Sequence, residues 1–359
     1  MKNILITGGL GYIGSHIVVE LLTRKDSDGK YIYNIFIVDN LENSNKTVIN
    51  NIIDSTIQHN PEKRIDVCIF DILKVGTTTE YFKQNKFDAI IHCAGKKAVS
   101  ESIEMPIEYY HHNLSLLTIL LSKVKQYDIK DFIFSSSATV YGSVRHDHIL
   151  TEDDKTGENI NNPYGKTKYI QEIILKDFYK TRPDLNCVIL RYFNPVGCHP
   201  SGILGENPKG IPNNIMPYIC RVADNNNKIS KKFTHERYEK LTIFGNDYET
   251  YDGTCIRDFI HVSDLARAHI DVLDFDTKSS DNLWIFNVGT GKGTSVLELV
   301  SSFIRENNVK LNYCFGDRRA GDEVIVVCDN TKITQLTDWS AKYDIDDIVR
   351  HNWGFVCQE

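Results

Sequence analysis

The sequence predicts an α/β protein in which a doubly wound parallel sheet is joined to a smaller mixed α/β region. Three observations carry that expectation. Six short runs, "NILITGG", "NIFIVDN", "IDVCIFDI", "FDAIIHCAG", "DFIFSSS" and "NCVILRYFN", are apolar on both faces and separated by helical stretches. Parallel strands covered by helices on both sides read in this way. A glycine-rich turn, "ITGGLGYIG", follows the first run directly. From about Asn194 the alternation breaks into Pro- and Gly-rich stretches, "NPVGCHPSG" and "ENPKGIPNN", a change from sheet scaffold to a region suited to gripping a ligand.

At 359 residues the chain exceeds the roughly 250 to 300 at which a single core stops growing, so two domains are expected. A net charge of −7 supplies no broad positive field, which argues against nucleic acid and anionic membrane as partners. Nine scattered cysteines, without a Cys-x-x-Cys pair, suit reduced thiols better than a disulfide framework. No charged leader with an apolar core opens the chain, and no apolar run of about 18 residues occurs in it. A soluble, cytoplasmic protein without a metal is the expectation.

In chain order, "NILIT" forms a first strand, the glycines turn the chain, and "SHIVVELL" continues as a helix. The second strand ends at Asp39 and the third near Asp71. A helix is expected over Glu108 to Gln126, with Leu114, Leu117, Leu121 and Val124 at core spacing. Another runs from Tyr164 to Tyr179, and both can pack on one face of the sheet. The polar, basic stretch 224 to 240, "DNNNKISKKFTHERYEK", reads as a solvated insertion.

Two motifs carry chemistry. Gly9, Gly11 and Gly14 satisfy G-x-G-x-x-G, and Gly8, Gly11 and Gly14 satisfy G-x-x-G-x-x-G. Such glycines permit a tight turn, close approach to a pyrophosphate and close packing of a helix whose N-terminal amides favour the anion. Asp39, 25 residues after Gly14, ends the next strand, where a carboxylate accepts both ribose hydroxyls and repels a 2′-phosphate. The fold is therefore expected to be Rossmann-like and to bind NAD. Asp71 reads either as an adenine contact or as an ordinary turn residue. In "NNPYGKTK", Tyr164 and Lys168 stand four apart, and a helix places them on one face. A free phenol, with a pKa of about 10, is scarcely ionised at neutral pH, and a nearby cation stabilises the phenolate. Ser135, Ser136, Ser137 and Thr139 in "FSSSATVYG" offer a hydroxyl to relay or orient the proton.

Together with "TGGLGYIGSH", "VDNLENS", "HCAGKKAVSES", "LRYFNPVG", "GIPNNIMPYI", "IFGNDYETYDGT", "IRDFIHV" and "RRAGD", these motifs resemble the UDP-glucose (UDP-galactose) 4-epimerases of the extended short-chain dehydrogenase superfamily, in unbroken order from about Lys2 to Asp329. The resemblance implies a homodimer, Tyr164 as base, Lys168 as its electrostatic partner and Ser137 as the hydroxyl nearest the sugar. It places the NAD contacts on Gly8, Gly11, Tyr12, Ile13, Gly14, Asp39, Asn40, Asn43, Ser44, Asp71, Ile72, Ala94 and Lys97, with Asn113 close by and Tyr164 and Lys168 at the nicotinamide end. It places the UDP-sugar contacts on Ser137, Thr139, Asn194, Asn214, Phe244, Arg257, Arg319 and Asp322, with Val326 at the sugar wall. Residues 1–193 would bind NAD, 194–359 mainly the UDP-sugar, and about 254–275 would pack back onto the first domain. Three departures are visible: Cys93 where many members have phenylalanine, Lys96 in place of an apolar residue, and a longer 224 to 240 stretch.

The implied reaction interconverts UDP-galactose and UDP-glucose through a 4-keto sugar that is oxidised on one face and reduced on the other. A nucleotide-sugar 4,6-dehydratase would share the cofactor site, Tyr and Lys, yet its acidic pair is here Ala138 and Thr139. A non-catalytic NAD-binding module would be expected to lose Tyr164 or Lys168, and both are kept. Valine at 326, where members restricted to plain hexoses carry tyrosine, leaves room beside carbon 2 and extends the expectation to UDP-N-acetylglucosamine and UDP-N-acetylgalactosamine.

Overall fold

The computed structural model describes residues 1–143, 148–208, 210, 212, 214–229, 238–275, 282–319 and 321–358. All six apolar runs are strands of one sheet: β1 (Lys2–Thr7), β2 (Tyr33–Asp39), β3 (Ile65–Ile69), β4 (Ala89–His92), β5 (Asp131–Ser137) and β6 (Asn186–Tyr192). A seventh strand, Leu283–Val288, pairs in parallel along β6, so the sheet gains an edge from beyond the segment expected to return. From that edge inward the order continues β6, β5, β4, β1, β2, β3. Every pairing is parallel, which makes the sheet Rossmann-like and doubly wound.

Alternate side chains of these strands feed two cores. On one face, Ile4, Ile6, Ile35 and Ile37 pack with Ile17, Val18 and Leu21 of the first helix and with Leu265, Ala268 and Val272 of helix Val262–Leu273. On the other, Leu5, Ile90, Phe132, Phe134 and Ile189 pack with helices Pro106–Gln126 and Pro163–Thr181 through Leu117, Leu121, Val124 and Leu175. Both long helices thus share one face. Of the four residues expected at core spacing, Leu117, Leu121 and Val124 are buried and Leu114 is only half-buried, while Leu116 and Leu120 are buried as well. A helix lying flat on a sheet buries a stripe wider than the a and d positions alone.

The second half builds a smaller α/β body. Strands Leu241–Phe244 and Tyr313–Gly316 pair in parallel, and helices Ile215–Asn227, Val296–Asn307 and Ile345–Cys357 share a third core around Ile219, Phe303 and Trp353. The polar 224 to 240 stretch is not wholly a loop: helix Ile215–Asn227 runs into it and buries Asp224, and residues 230–237 lie outside the described residues. Asn225 and Asn226 donate to the carbonyls of Tyr238 and Glu239, which ties its two ends together. All nine cysteines are free thiols. Among the described residues no helix is long and apolar enough to cross a membrane.

Candidate active site

The carboxyl ends of β1, β4, β5 and β6 converge where strand order reverses between β1 and β4, the position at which open α/β sheets bind ligands. Gly8, the residue after β1, has φ +70°, and a Cβ there would stand 2.8 Å from the Ala94 nitrogen. A Cβ on Gly14 would meet the Gly8 carbonyl oxygen at 2.2 Å. Only glycine fits either position. Gly11 begins the helix Tyr12–Thr23 without a side-chain cap, which leaves its first amides to a ligand.

Asp39 holds this turn from the end of β2. One carboxylate oxygen accepts from the Leu10 amide at 3.0 Å, and the other accepts from the Leu41 amide at 2.9 Å and the Ser44 hydroxyl at 2.7 Å. Lone pairs remain for ribose hydroxyls. Asn40 instead caps the Glu42 amide at 3.0 Å, and Glu42 pairs with Lys96. Asp71 accepts from the Leu73 amide at 2.9 Å, as an ordinary turn residue does, and Ile72 is buried in the core. The Lys97 ammonium lies 5.7 Å above the Tyr12 ring and 3.2 Å from Glu206. The turn, the uncapped helix and the Asp39 carboxylate at the end of β2 fit NAD.

Asn162 caps the helix Pro163–Thr181 by accepting from the Gly165 amide at 2.8 Å, and Pro163 starts it. That start sets Tyr164 in the first turn and Lys168 one turn later. Lys168 is only 8% exposed, its ammonium donates to the Ser135 carbonyl at 2.7 Å, and it lies 6.0 Å from the Tyr164 ring centroid. This is not a wet helical face. Burial pulls the Lys168 pKa down to about 8, and Cys93 and Glu172 oppose that fall. Burial pushes the Tyr164 phenol up while a hydrogen bond with Ser137 draws it down. The Thr139 hydroxyl, buried beside Gly165, has no partner in the protein. Asn113 is tied up structurally: its side chain bridges the Lys96 backbone and the Thr167 hydroxyl.

Four of the expected UDP-sugar residues, Phe244, Arg257, Arg319 and Asp322, lie together. Arg319 binds both oxygens of Asp322, at 3.2 and 2.8 Å, and lies 5.7 Å above the half-exposed Phe244 ring. Arg257 reaches the same carboxylate at 3.7 Å. Two guanidinium groups thus converge, the geometry that suits a diphosphate. Asn194 sits in a short strand beside Phe259, and Asn214 begins helix Ile215–Asn227 and donates to Glu206 at 2.7 Å. Val326 pairs in register with Arg257 and packs against the cluster of Val140, Tyr141 and Phe193, whereas Ile325 turns to Tyr248 and Cys255.

Sequence reasoning passed over Glu206, which touches both Lys97 and Asn214, and Glu172, which stands one turn beyond Lys168 on the same face. The i, i+4 spacing from Lys168 was the available signal for Glu172. Glu206 had none, because its partners are remote in sequence. Among the described residues no group of three or more His, Cys, Asp or Glu side chains could hold a metal ion.

A glycine turn after the first strand of a parallel sheet, with a Tyr-Lys pair on a helix of that sheet, defines a dinucleotide-dependent class. The chain belongs to the NAD dependent epimerase/dehydratase family, whose model matches residues 4–289. It is 41% identical over 350 residues to a UDP-glucose 4-epimerase of Bacillus subtilis, an alignment covering 98% of this chain and 95% of the relative. Among solved structures it is similar to the UDP-glucose 4-epimerase from Bifidobacterium longum in complex with NAD+ and UDP, with TM-score 0.87, 37% identity and coverage of 99% of this chain and 98% of that one. It is also similar to the UDP-Glc/GlcNAc 4-epimerase from Campylobacter jejuni, with TM-score 0.79, 32% identity and coverage of 99% of both chains.

Proposed function

We propose that the protein is a UDP-glucose 4-epimerase that interconverts UDP-galactose and UDP-glucose. The observation that carries the reading is Lys168, a buried cation one helical turn from Tyr164, with Ser137 at the end of β5 near enough to draw that phenol's pKa down. The glycine turn and Asp39 would hold NAD, which would take the hydride from carbon 4 of the sugar and give it back to the same carbon when the ketone is reduced. Tyr164 takes the proton of the 4-hydroxyl, Ser137 orients that proton, and Lys168 stabilises the phenolate. The 4-keto sugar then presents its other face, and Tyr164 returns the proton. Arg257, Arg319, Asn194, Asn214 and Phe244 grip UDP, so the nucleotide stays fixed while the hexose turns. In this reading residues 1–193, with later returning segments, serve the cofactor, and 194–359 mainly serve the sugar nucleotide.

Val326 supports an extension to UDP-N-acetylglucosamine and UDP-N-acetylgalactosamine, because it faces the turn that carries Ser137 and Thr139 without a tyrosine's bulk. The same reading includes a homodimer, supported by Ile103 and Ile107, which are 61% and 73% exposed beside the long helices, and a cytoplasmic location, supported by nine free thiols. Incubating pure protein with UDP-galactose and resolving UDP-glucose tests the central claim. Consumption of UDP-galactose without UDP-glucose would overturn it.

A further inference from the structure

Beneath Tyr164 and Lys168 lies a buried polar clamp that the proton transfer does not use. Glu172 is fully buried, and its carboxylate accepts from the Ser136 hydroxyl at 2.6 Å and from the Arg191 fork at 3.0 and 2.8 Å. Arg191 reaches on to the Tyr141 hydroxyl at 2.9 Å, and that hydroxyl donates to Asn287 at 2.6 Å. Helix Pro163–Thr181, β5, β6, the turn Ala138–Tyr141 and the edge strand Leu283–Val288 are therefore bolted at one point.

Ser136 is flanked by the two serines the chemistry touches. The Ser135 carbonyl accepts from the Lys168 ammonium at 2.7 Å, and Ser137 draws the Tyr164 phenol's pKa down. Of the three, Ser136 is the one whose hydroxyl meets Glu172. A helix that slipped by one residue would move about 1.5 Å along its axis. Misplacement of about 1 Å costs on the order of 100-fold in rate. A buried ion pair adds little stability over apolar residues of similar volume, so stability alone does not account for this one.

We propose that Glu172 and Ser136 are positioning residues that set the helix against the strand end, so that Ser137 and the Ser135 carbonyl stay aimed at Tyr164 and Lys168. The proposal rests on the epimerase reading of that pair. Lys168 also faces Cys93 and, in β4, His92, whose ring burial holds neutral with a pKa of about 3. Glu172 is the carboxylate among these neighbours.

The test compares kcat, KM for UDP-galactose and bound nucleotide across pH for wild type, Ser136→Ala, Glu172→Gln and a Tyr164→Phe control. Ser136→Ala removes one hydroxyl from the clamp and leaves the Arg191 pair intact, so its folding is secure. It should lower kcat by about tenfold with KM and nucleotide content within about twofold of wild type. Glu172→Gln should lower kcat at least as far and move the alkaline limb of activity to lower pH by about one unit. Wild-type kcat in Ser136→Ala, or an unmoved limb in folded Glu172→Gln, would overturn the clamp. Full activity in Tyr164→Phe would instead overturn the reading on which it rests.

Discussion

The Lys168 ammonium donates to the Ser135 carbonyl at 2.7 Å and stands 6.0 Å from the ring centroid of Tyr164. The cation is therefore oriented by strand β5, between the Phe134 ring at 4.8 Å and the Tyr164 ring one helical turn away. Its desolvation makes the charge both strong in effect and easy to lose.

Tyr164→Phe removes the proton acceptor while keeping the ring's packing. Positioned proton transfer contributes about 100- to 10,000-fold, so epimerisation should fall by at least that order with UDP affinity retained. Calorimetric titration with UDP beside a turnover assay separates the two effects, and a folded variant within tenfold of wild type would remove Tyr164 from its role.

The pH dependence follows from Lys168, whose pKa burial lowers to about 8. Below that value the side chain is charged and above it neutral, so an activity that needs the cation is lost as pH rises through about 8. In Lys168→Arg the guanidinium stays charged throughout. That variant should be slower through altered geometry yet show no decline between pH 7 and 9.5, measured as kcat/KM against pH.

Cofactor choice should follow Asp39, which would repel a 2′-phosphate. Nucleotide extracted from the purified protein is expected to be NAD and to copurify, because hydride must return to the same sugar. Gly14→Ala places a methyl 2.2 Å from the Gly8 carbonyl oxygen and should purify with little nucleotide. NADP in the wild-type extract contradicts the assignment.

Val326→Tyr probes the sugar wall. Because Val326 packs toward Val140 and Tyr141, a ring there would fill the space beside carbon 2. The variant should keep the UDP-galactose reaction and lose the N-acetylated one by about tenfold or more. A wild type inactive on UDP-N-acetylglucosamine refutes the extension directly.

Arg191→Leu would leave the Glu172 carboxylate buried without its fork. Breaking such a pair costs about 3–5 kcal/mol, which chemical denaturation would register as a lower midpoint. Replacing Glu172 with methionine in the same chain should recover most of that loss.

Local chemistry made much of this legible without coordinates. Six sheet strands, the glycine turn, Asp39 at its strand end and the shared face of Tyr164 and Lys168 all follow from periods of 2 and 3.6 residues and from glycine's freedom, each acting within a short window. Tertiary structure alone decided matters that depend on residues far apart in the chain. Leu283–Val288 joined the sheet as its edge, Arg257 and Arg319 met at Asp322, and Glu206 came between Lys97 and Asn214. Val326 rather than Ile325 faced the Ala138–Tyr141 turn because pairing with Arg257 set its register, which no run of alternating valines can specify. The lowered pKa of Lys168 belongs to the same class, since desolvation is the summed effect of everything packed around the group.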